Sequence, residues 1–128
     1  PSIELVDSRY EDWTSIGVNN LIADNAVHAH WIYGEEKKEL NLFNFDNHSV
    51  DLYINGKFIE KGNASAVMGN PIISLTWLIN TLASVGKVLP KNNYISTGTC
   101  TKAIPISIGD KVTADFGKLG IVCFDFKE

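Results

Sequence analysis

The chain has 128 residues, of which 45% are hydrophobic and 20% charged, and it carries a formal net charge of −4. These values fit a single globular domain and exclude a disordered chain. The 11 cationic residues are scattered and no apolar run approaches the roughly 18 residues of a membrane span, so we expect neither a nucleic-acid surface nor a membrane segment.

Short segments that alternate between apolar and polar residues predict strands in the amino-terminal half. Strands are expected at 2–6, 27–33 and 39–45, with a charged turn at 34–38 and a short helix near 18–22. Residues 50–54 alternate again and are followed by Asn55-Gly56. This pair favours a two-residue hairpin turn because both central positions need positive φ, so we predict a return strand from Phe58.

The stretch from Asn70 to Gly86 predicts a long helix. Asn70 is a favourable N-cap, Pro71 suits the first helical position and Gly86 suits the end. Apolar residues cover most of the circumference, so the helix is expected to be buried on more than one side.

Three more strands are predicted in the last third of the chain, at 93–97, 111–116 and 120–126. Several short strands with one long helix indicate an α+β fold, with a mixed, mostly antiparallel rolled sheet around the buried helix. No linker-like break divides the chain, so one domain is expected. Cys100 and Cys123 match no metal or redox spacing and are expected to be free thiols.

Glu4 stands between Ile3 and Leu5 on the first predicted strand and therefore faces away from them. It is either an ordinary solvent-facing residue or a ligand for a hard divalent cation such as Mg²⁺, which one Glu cannot hold alone. Asp7 and Arg9 follow, two residues apart. They form either a structural ion pair or anchoring hydrogen bond, or a clamp for the substrate.

Two further segments carry residue types that are typical of binding sites. His28 and His30 would share one strand face and could form half of a zinc site, although strand histidines are usually packed or solvated. In the loop STGTC, Gly98 allows close approach of a ligand, and Thr97 and Thr99 can donate to a carboxylate or enolate oxygen. An ordinary polar turn is an equal alternative for this loop.

Five blocks, in this order, resemble the carboxy-terminal half of one enzyme group: IELVDSRYEDW, IADNA, MGNPIISLTWLINTLASVGKVL, STGT and PISIGDKVTADFGKLGIVCFDF. The group comprises the 2-keto-4-pentenoate hydratases and 4-oxalocrotonate decarboxylases of the fumarylacetoacetate hydrolase superfamily. The resemblance runs along residues 1–128 and implies the family's fold, a mixed sheet rolled around a helix.

The resemblance implies a divalent metal, Mg²⁺ or Mn²⁺, held by three carboxylates. Glu4 matches the third ligand, and the family's other two come from a Glu-x-Glu segment that is missing here, so the amino-terminal half of the domain is expected to be absent. Catalytic roles are implied for Asp24 and Asn25, and substrate-binding roles for Val27, Thr97, Gly98 and Thr99. Val27 replaces the family's Ser and removes a hydroxyl donor worth about 1–3 kcal/mol.

The implied reaction is addition of water to a 2-hydroxy-2,4-dienoate, giving a 4-hydroxy-2-keto acid, as in aromatic meta-cleavage catabolism. The ion would act as a Lewis acid while a general acid-base moves protons. The alternatives are a 4-oxalocrotonate-type decarboxylase, an acylpyruvate hydrolase, and a non-catalytic relative with an assembly role. We expect a cytoplasmic homo-oligomer that binds a small 2-keto or 2-hydroxydienoate acid, with an apolar patch on this half.

Overall fold

The computed structural model describes residues 1–35 and 43–128, which form one two-stranded and one four-stranded antiparallel sheet. The strands are β1 (Ser2–Val6), β2 (His28–Tyr33), β3 (Ser49–Ile54), β4 (Lys57–Asn63), β5 (Lys111–Asp115) and β6 (Ile121–Asp125). The α-helices are α1 (Gly17–Ala23) and α2 (Pro71–Ser84), and short 3-10 turns lie at Asn25–Val27, Ala64–Ala66 and Gly117–Leu119. This content confirms the predicted α+β class.

Most of the predicted elements are confirmed, with bounds that shift by one or two residues. The strand predicted at 93–97 is wrong, because those residues are irregular and join no ladder. Their β-branched and aromatic side chains suit a strand, but a strand also requires a neighbouring backbone with which to pair. The strand predicted at 39–45 and the turn at 34–38 lie mostly outside the described residues, and residues 43–45 are not in a strand.

The four-stranded sheet has the order β4-β3-β5-β6 and carries much of a small buried core. One face presents Val50 from β3, Val112 and Ala114 from β5, and Val122 from β6, all of them buried. These residues share a face because alternate residues of a strand point the same way and paired residues lie on the same face. Leu52, two residues after Val50, lies opposite Ala114, and Ala114 lies opposite Val122. The two-stranded sheet lies beside this layer, where β2 contacts β6.

The turn between β3 and β4 forms as predicted and is tied to the turn before β5. Asn55 and Gly56 have positive φ, 53° and 77°. The Asn55 amide donates to Asp110 Oδ1 at 2.7 Å, and its oxygen accepts from the Lys111 backbone at 2.9 Å. A backbone hydrogen bond from Ser107, together with the Asn55 bond, holds the pKa of Asp110 below its usual value. These bonds fix the position of the hairpin relative to β5.

Helix α2 begins and ends as its sequence predicts, but it is not buried. The side chain of Asn70 caps it by accepting from Ile72 N at 2.9 Å, and Gly86, with φ 72°, follows its end. No residue of α2 is buried, and Ile73 and Trp77 are 52% and 58% exposed. The prediction of a helix buried on more than one side is therefore wrong for the described residues, because Leu75, Leu78 and Leu82 are only half-buried and the side that carries Ile73 and Trp77 is exposed.

The chain exposes more surface than a compact protein of its mass. Its accessible surface is 9257 Å², whereas a compact monomer of 14.1 kDa exposes about 6,700 Å². The excess of roughly 2,500 Å² is comparable to one side of a large permanent interface. Large exposed apolar residues occur on α2 and just after it, at Ile72, Ile73, Trp77, Ile79, Val85 and Val88. The apolar patch expected from the sequence is therefore present.

The segment 64–84, which contains α2, is long and apolar enough by composition to resemble a membrane span. The α-helix within it has 14 residues. At the usual rise per residue such a helix is about 21 Å long, shorter than the bilayer's hydrocarbon core of about 30 Å. The exposed apolar side of α2 is therefore better matched to a protein surface than to a membrane.

Candidate functional site

Glu4 is brought against His28 by an irregularity in the pairing of β1 with β2. The register pairs Leu5 with His30 and then Val6 with His28, so β2 has one extra residue at a β-bulge. Because Glu4 and Val6 share a face, this bulge places His28 on the face of Glu4. His28 Nδ1 consequently lies 2.7 Å from Glu4 Oε1.

The prediction that two histidines share one strand face is wrong. The same bulge leaves His30 opposite Leu5, on the face away from Glu4. A third histidine, His48, donates from Nε2 to the Phe116 carbonyl at 2.8 Å and belongs to the packing beside β5. In the part of the chain that the structure describes, no three His, Cys, Asp or Glu side chains come together as a metal cluster.

Asp24 is almost completely buried, with 2% of its surface exposed, and it fastens two segments together. Ser8 Oγ donates to Asp24 Oδ2 at 2.7 Å, and Arg9 Nε lies 2.9 Å from Oδ1. The Asp7 N–H donates to the Val27 carbonyl at 2.8 Å. Arg9 therefore makes a structural ion pair with Asp24 rather than with Asp7. The contacts of Asp24 are structural, and its catalytic role stays a prediction.

The turn after α1 is left-handed at three consecutive residues. The φ angle is 53° at Asn25, 52° at Ala26 and 59° at Val27. Asn tolerates this region, whereas Ala and the β-branched Val adopt it at a cost on the order of 1–2 kcal/mol each. Strain of this kind concentrates at binding and catalytic sites. The side chain of Val27 is buried, with 6% exposed.

Replacing Ala26 by Gly is expected to raise the free energy of unfolding by up to about 1 kcal/mol, because Gly adopts positive φ without strain and the Ala26 side chain is exposed. Urea unfolding of the full natural protein measures this change. The matched control is Ala83→Gly in α2, which is expected to lower stability by roughly 0.5–1 kcal/mol. A loss of equal size at both positions would contradict the strain at Ala26.

The loop that carries Thr97 to Thr99 is held by backbone contacts with β4 and α2. Ser74 Oγ, on α2, donates to the Thr97 carbonyl at 2.7 Å. A Cβ on Gly62 would collide with the Cys100 carbonyl, so the loop approaches β4 only because Gly is there. Gly98 has φ 133°, which also favours glycine. The loop's position is thus set by two glycines and one hydroxyl.

Thr99 lines an open cavity of about 630 Å³ together with Thr101, Lys61 and Lys102. The Thr99 hydroxyl donates to the Thr101 carbonyl at 2.8 Å, so its hydrogen is engaged within the loop. Cys100 lines the same cavity, and burial raises the pKa of its thiol. The thiol therefore stays protonated near neutral pH and is a poor nucleophile.

A second cavity, of about 350 Å³, lies beside the strained turn. Its lining comes from the end of β1, the following segment and the turn, namely Val6, Asp7, Ser8, Tyr10, Glu11, Trp13 and Val27. Val27, which was predicted to contact substrate, therefore offers an apolar wall to a cavity. Glu4 lines neither of these two cavities.

Three aromatic residues connect the two parts of the candidate site. Tyr94, which precedes Thr97 on the loop, stacks on Tyr33 at 5.0 Å and meets Trp31 edge-on at 6.0 Å. Trp31 lies directly opposite Glu4 in the β1-β2 register. The cluster therefore packs the segment before Thr97 against β2, the strand that pairs with the one carrying Glu4.

The sequence did not identify His28 or Trp31 as neighbours of Glu4. Both are on a predicted strand, but a face cannot be assigned from alternation when a bulge interrupts the register. The Trp31 indole N–H is buried and has no hydrogen-bond partner among the described residues. Sequence alone carries no signal for that missing partner.

Glu4 fits a divalent-ion site as a single ligand. Its carboxylate supplies oxygen, which Mg²⁺ prefers, and 41% of its side chain is exposed, so an ion can reach it from solvent. A hydrogen bond such as that from His28 commonly orients a ligating carboxylate. This solvent-exposed pair contributes at most about 1 kcal/mol to stability, so an ion can displace it. A complete site needs ligands from outside the described residues.

Known proteins that match this chain are enzymes of one group. The 4-oxalocrotonate decarboxylase of Pseudomonas putida is 33% identical over 126 residues, which are 98% of this chain and 47% of that protein. The 2-hydroxyhexa-2,4-dienoate hydratase of Comamonas testosteroni is 28% identical and matches 100% of this chain. The chain spans about half the length of these relatives, 47% and 48%. No protein-family model matches it.

The solved structures lead to the same group. The 4-oxalocrotonate decarboxylase from Pseudomonas putida G7, complexed with magnesium and adipate, superposes with a TM-score of 0.89 at 34% identity and matches 98% of this chain and 48% of that one. A complex of the same enzyme with calcium and acetate gives 0.84 at 36% identity. The chain therefore has the α+β fold of the matched half of a 4-oxalocrotonate decarboxylase. It is a homologue of the 2-keto-4-pentenoate hydratase and 4-oxalocrotonate decarboxylase group, which confirms the predicted resemblance.

Proposed function

We propose that this chain forms one part of a metal-dependent enzyme that acts on a small 2-keto or 2-hydroxydienoate acid. The observation that carries the proposal is the position of Glu4, a reachable carboxylate oriented by His28. Beside it, buried Asp24 and the strained turn at Val27 form a rigid support. The magnesium in a homologous decarboxylase supports Mg²⁺ as the ion, and Mn²⁺ is the alternative of similar ligand preference.

The proposed reaction is hydration of a 2-hydroxy-2,4-dienoate to a 4-hydroxy-2-keto acid. A bound divalent ion would supply Lewis-acid stabilisation of negative charge on the substrate's 2-oxygen. Glu4 would hold that ion, while Asp24 keeps the segment after β1 in place through Ser8 and Arg9. The general acid-base that both proton transfers require is expected among residues outside this chain.

Position 27 distinguishes this chain from the family pattern, because Val27 stands where that pattern has Ser. Val27 is buried and its carbonyl accepts from the Asp7 N–H, so the turn is well formed without a hydroxyl. A substrate group that a Ser would bind meets hydrocarbon instead. We propose that this position narrows the range of substrates and leaves the metal site intact.

Decarboxylation is the second candidate, and a specific observation favours it. Two Pseudomonas decarboxylases are 33% identical to this chain and a third is 29% identical, whereas the hydratases from Comamonas testosteroni and Paraburkholderia phymatum are 28% and 29% identical. Both reactions use the same stabilisation of charge on a 2-keto acid, so Glu4 and its surroundings serve either one. Hydrolysis of an acylpyruvate and a non-catalytic assembly role are further options within the same fold.

The exposed apolar side of α2 supports the proposal that the active protein contains more than this chain. The accessible surface of 9257 Å² exceeds the compact value of about 6,700 Å². Trp77 and Ile73 are half exposed on that side. We propose that residues 1–128 correspond to the carboxy-terminal half of a larger catalytic domain, that the rest of it covers α2, and that the whole protein assembles as a homo-oligomer.

The test uses the full natural protein and a series of short 2-hydroxydienoates. An Mg²⁺-dependent loss of the dienoate's ultraviolet absorbance, with a hydrated product and no CO₂, would support hydration. Release of CO₂ from 4-oxalocrotonate would show that decarboxylation, and not hydration, is the reaction. No metal-dependent change with any of these acids would refute both.

A further inference from the structure

We propose that His28 is a direct ligand of the same divalent ion as Glu4, through Nδ1. The inference rests on the proposed function, because it assumes that an ion binds at Glu4. It adds an imidazole to a site for which the resemblance implies carboxylates alone. The carboxylate and the imidazole would then form a two-residue ligand pair on one face of the β1-β2 sheet.

The separation of the two donor atoms suits a shared ion. His28 Nδ1 and Glu4 Oε1 lie 2.7 Å apart. In an octahedral site with ligands at about 2.1 Å, two adjacent ligands are about 3 Å from each other. A movement of a few tenths of an ångström, together with exchange of the Nδ1 proton with solvent for one on Nε2, would therefore convert the hydrogen bond into joint coordination. The neutral imidazole would carry its proton on Nε2, which leaves the Nδ1 lone pair for the ion.

Both donors are accessible to an ion in solution. The side chains of His28 and Glu4 are 37% and 41% exposed, so binding does not require a buried path to open. The pair also stands on two paired strands rather than on a loop, since β1 and β2 pair at five register positions from Ser2 to Val6, with the bulge between the last two. Strand residues hold ligand geometry better than loop residues do.

The β-bulge explains why His28, and not His30, occupies this position. Without the extra residue on β2, strict alternation would place Ala29 opposite Val6 and both histidines on the other face. Bulges commonly re-aim a side chain beside an active site. The bulge therefore has a specific chemical consequence here, because it brings a nitrogen donor to a carboxylate.

An imidazole ligand would change which metals the protein prefers. Carboxylate oxygens suit Mg²⁺, whereas imidazole nitrogen suits the first-row transition ions, whose affinities rise along the series from Mn²⁺ to Cu²⁺. We expect the full natural protein to bind Mn²⁺, Co²⁺ and Ni²⁺ in preference to Mg²⁺. Replacing His28 by Gln is expected to lower Ni²⁺ affinity at least about tenfold and to change Mg²⁺ affinity by no more than about twofold.

The experiment measures the ligands of bound Mn²⁺ directly by pulsed electron paramagnetic resonance on the full natural protein. A directly bonded imidazole gives a ¹⁴N modulation of the Mn²⁺ signal. We expect this modulation in the unaltered protein and in His30→Gln, whose changed residue is on the opposite face. We expect it to disappear in His28→Gln. Titration of each variant with Mg²⁺ and Ni²⁺ gives the two affinities.

The outcomes separate this inference from the proposed function. Mn²⁺ that binds in a Glu4-dependent manner, without ¹⁴N modulation from His28, would overturn the inference and leave the proposed function standing. An equal loss of Mg²⁺ and Ni²⁺ affinity in His28→Gln, with no ¹⁴N signal in the unaltered protein, would also overturn it, because His28 would then only orient Glu4. Mn²⁺ binding that does not depend on Glu4 would overturn both.

Discussion

Replacing Glu4 by Gln in the full natural protein is expected to lower kcat/KM for a dienoate or keto-acid substrate by at least about 100-fold, because the metal's contribution of several kcal/mol is lost with its ligand. The amide keeps the size of the side chain and removes the charge that attracts the ion. Affinity for Mg²⁺, measured by calorimetry, is expected to fall in parallel. The strand itself should be unaffected, because 41% of the Glu4 side chain is exposed.

Glu35→Gln provides the matched control for this experiment. Glu35 is exposed, follows β2 by two residues and carries the same charge, so its replacement changes the net charge equally. We expect its kcat/KM and Mg²⁺ affinity to stay within about twofold of the unaltered protein. If Glu4→Gln behaves like Glu35→Gln in both measurements, Glu4 is not a metal ligand and the proposed function loses its main support.

Local signals in the sequence predicted local structure well. Asn55-Gly56 predicts a tight turn because of backbone geometry, and the observed φ values are positive at both residues. Asn70 predicts a helix start because its side chain can accept from a free backbone N–H of the first turn, and this hydrogen bond is observed. Pro71 suits the first helical position because it has no N–H that would be left unpaired there. These predictions depend on neighbours in sequence and need no knowledge of the rest of the fold.

Burial could not be predicted in the same way. The apolar circumference of α2 correctly indicates a helix that suits burial, but burial also requires a surface to pack against. In the described residues no element covers Trp77, which is 58% exposed. The sequence of a helix shows whether its side chains are suited to burial. Whether they are buried depends on which other part of the protein packs against the helix.

The candidate site shows the same division. The resemblance placed Glu4, Asp24 and Val27 in one site, and the structure brings their segments together through the Asp7–Val27 and Ser8–Asp24 hydrogen bonds. The contact between Glu4 and His28 depends instead on one extra residue in a strand pairing. A shift of one position exchanges the two faces of a strand, so alternation read from sequence assigned both histidines to the same face.

Replacing Asp24 by Ala is expected to lower the free energy of unfolding by about 3 kcal/mol, since it removes one hydrogen bond and one ion pair made by a carboxylate that is 2% exposed, and leaves the Ser8 hydroxyl and Arg9 without that partner. Urea unfolding of the full natural protein measures the loss. Asp125→Ala is the control, because 56% of that side chain is exposed and its contact with Lys127 is 3.9 Å long. The control is expected to change stability by less than about 0.5 kcal/mol.

Ser8→Ala tests the same network if Asp24→Ala does not fold. It removes only the 2.7 Å bond from Ser8 Oγ, so a loss of about 1–2 kcal/mol is expected while the Arg9–Asp24 ion pair persists. A stability equal to that of Asp125→Ala in both variants would mean that Asp24 does not fasten the segment after β1. A fully stable Asp24→Ala protein without activity would instead assign Asp24 to catalysis, because a structural carboxylate cannot be removed from a buried site without loss of stability.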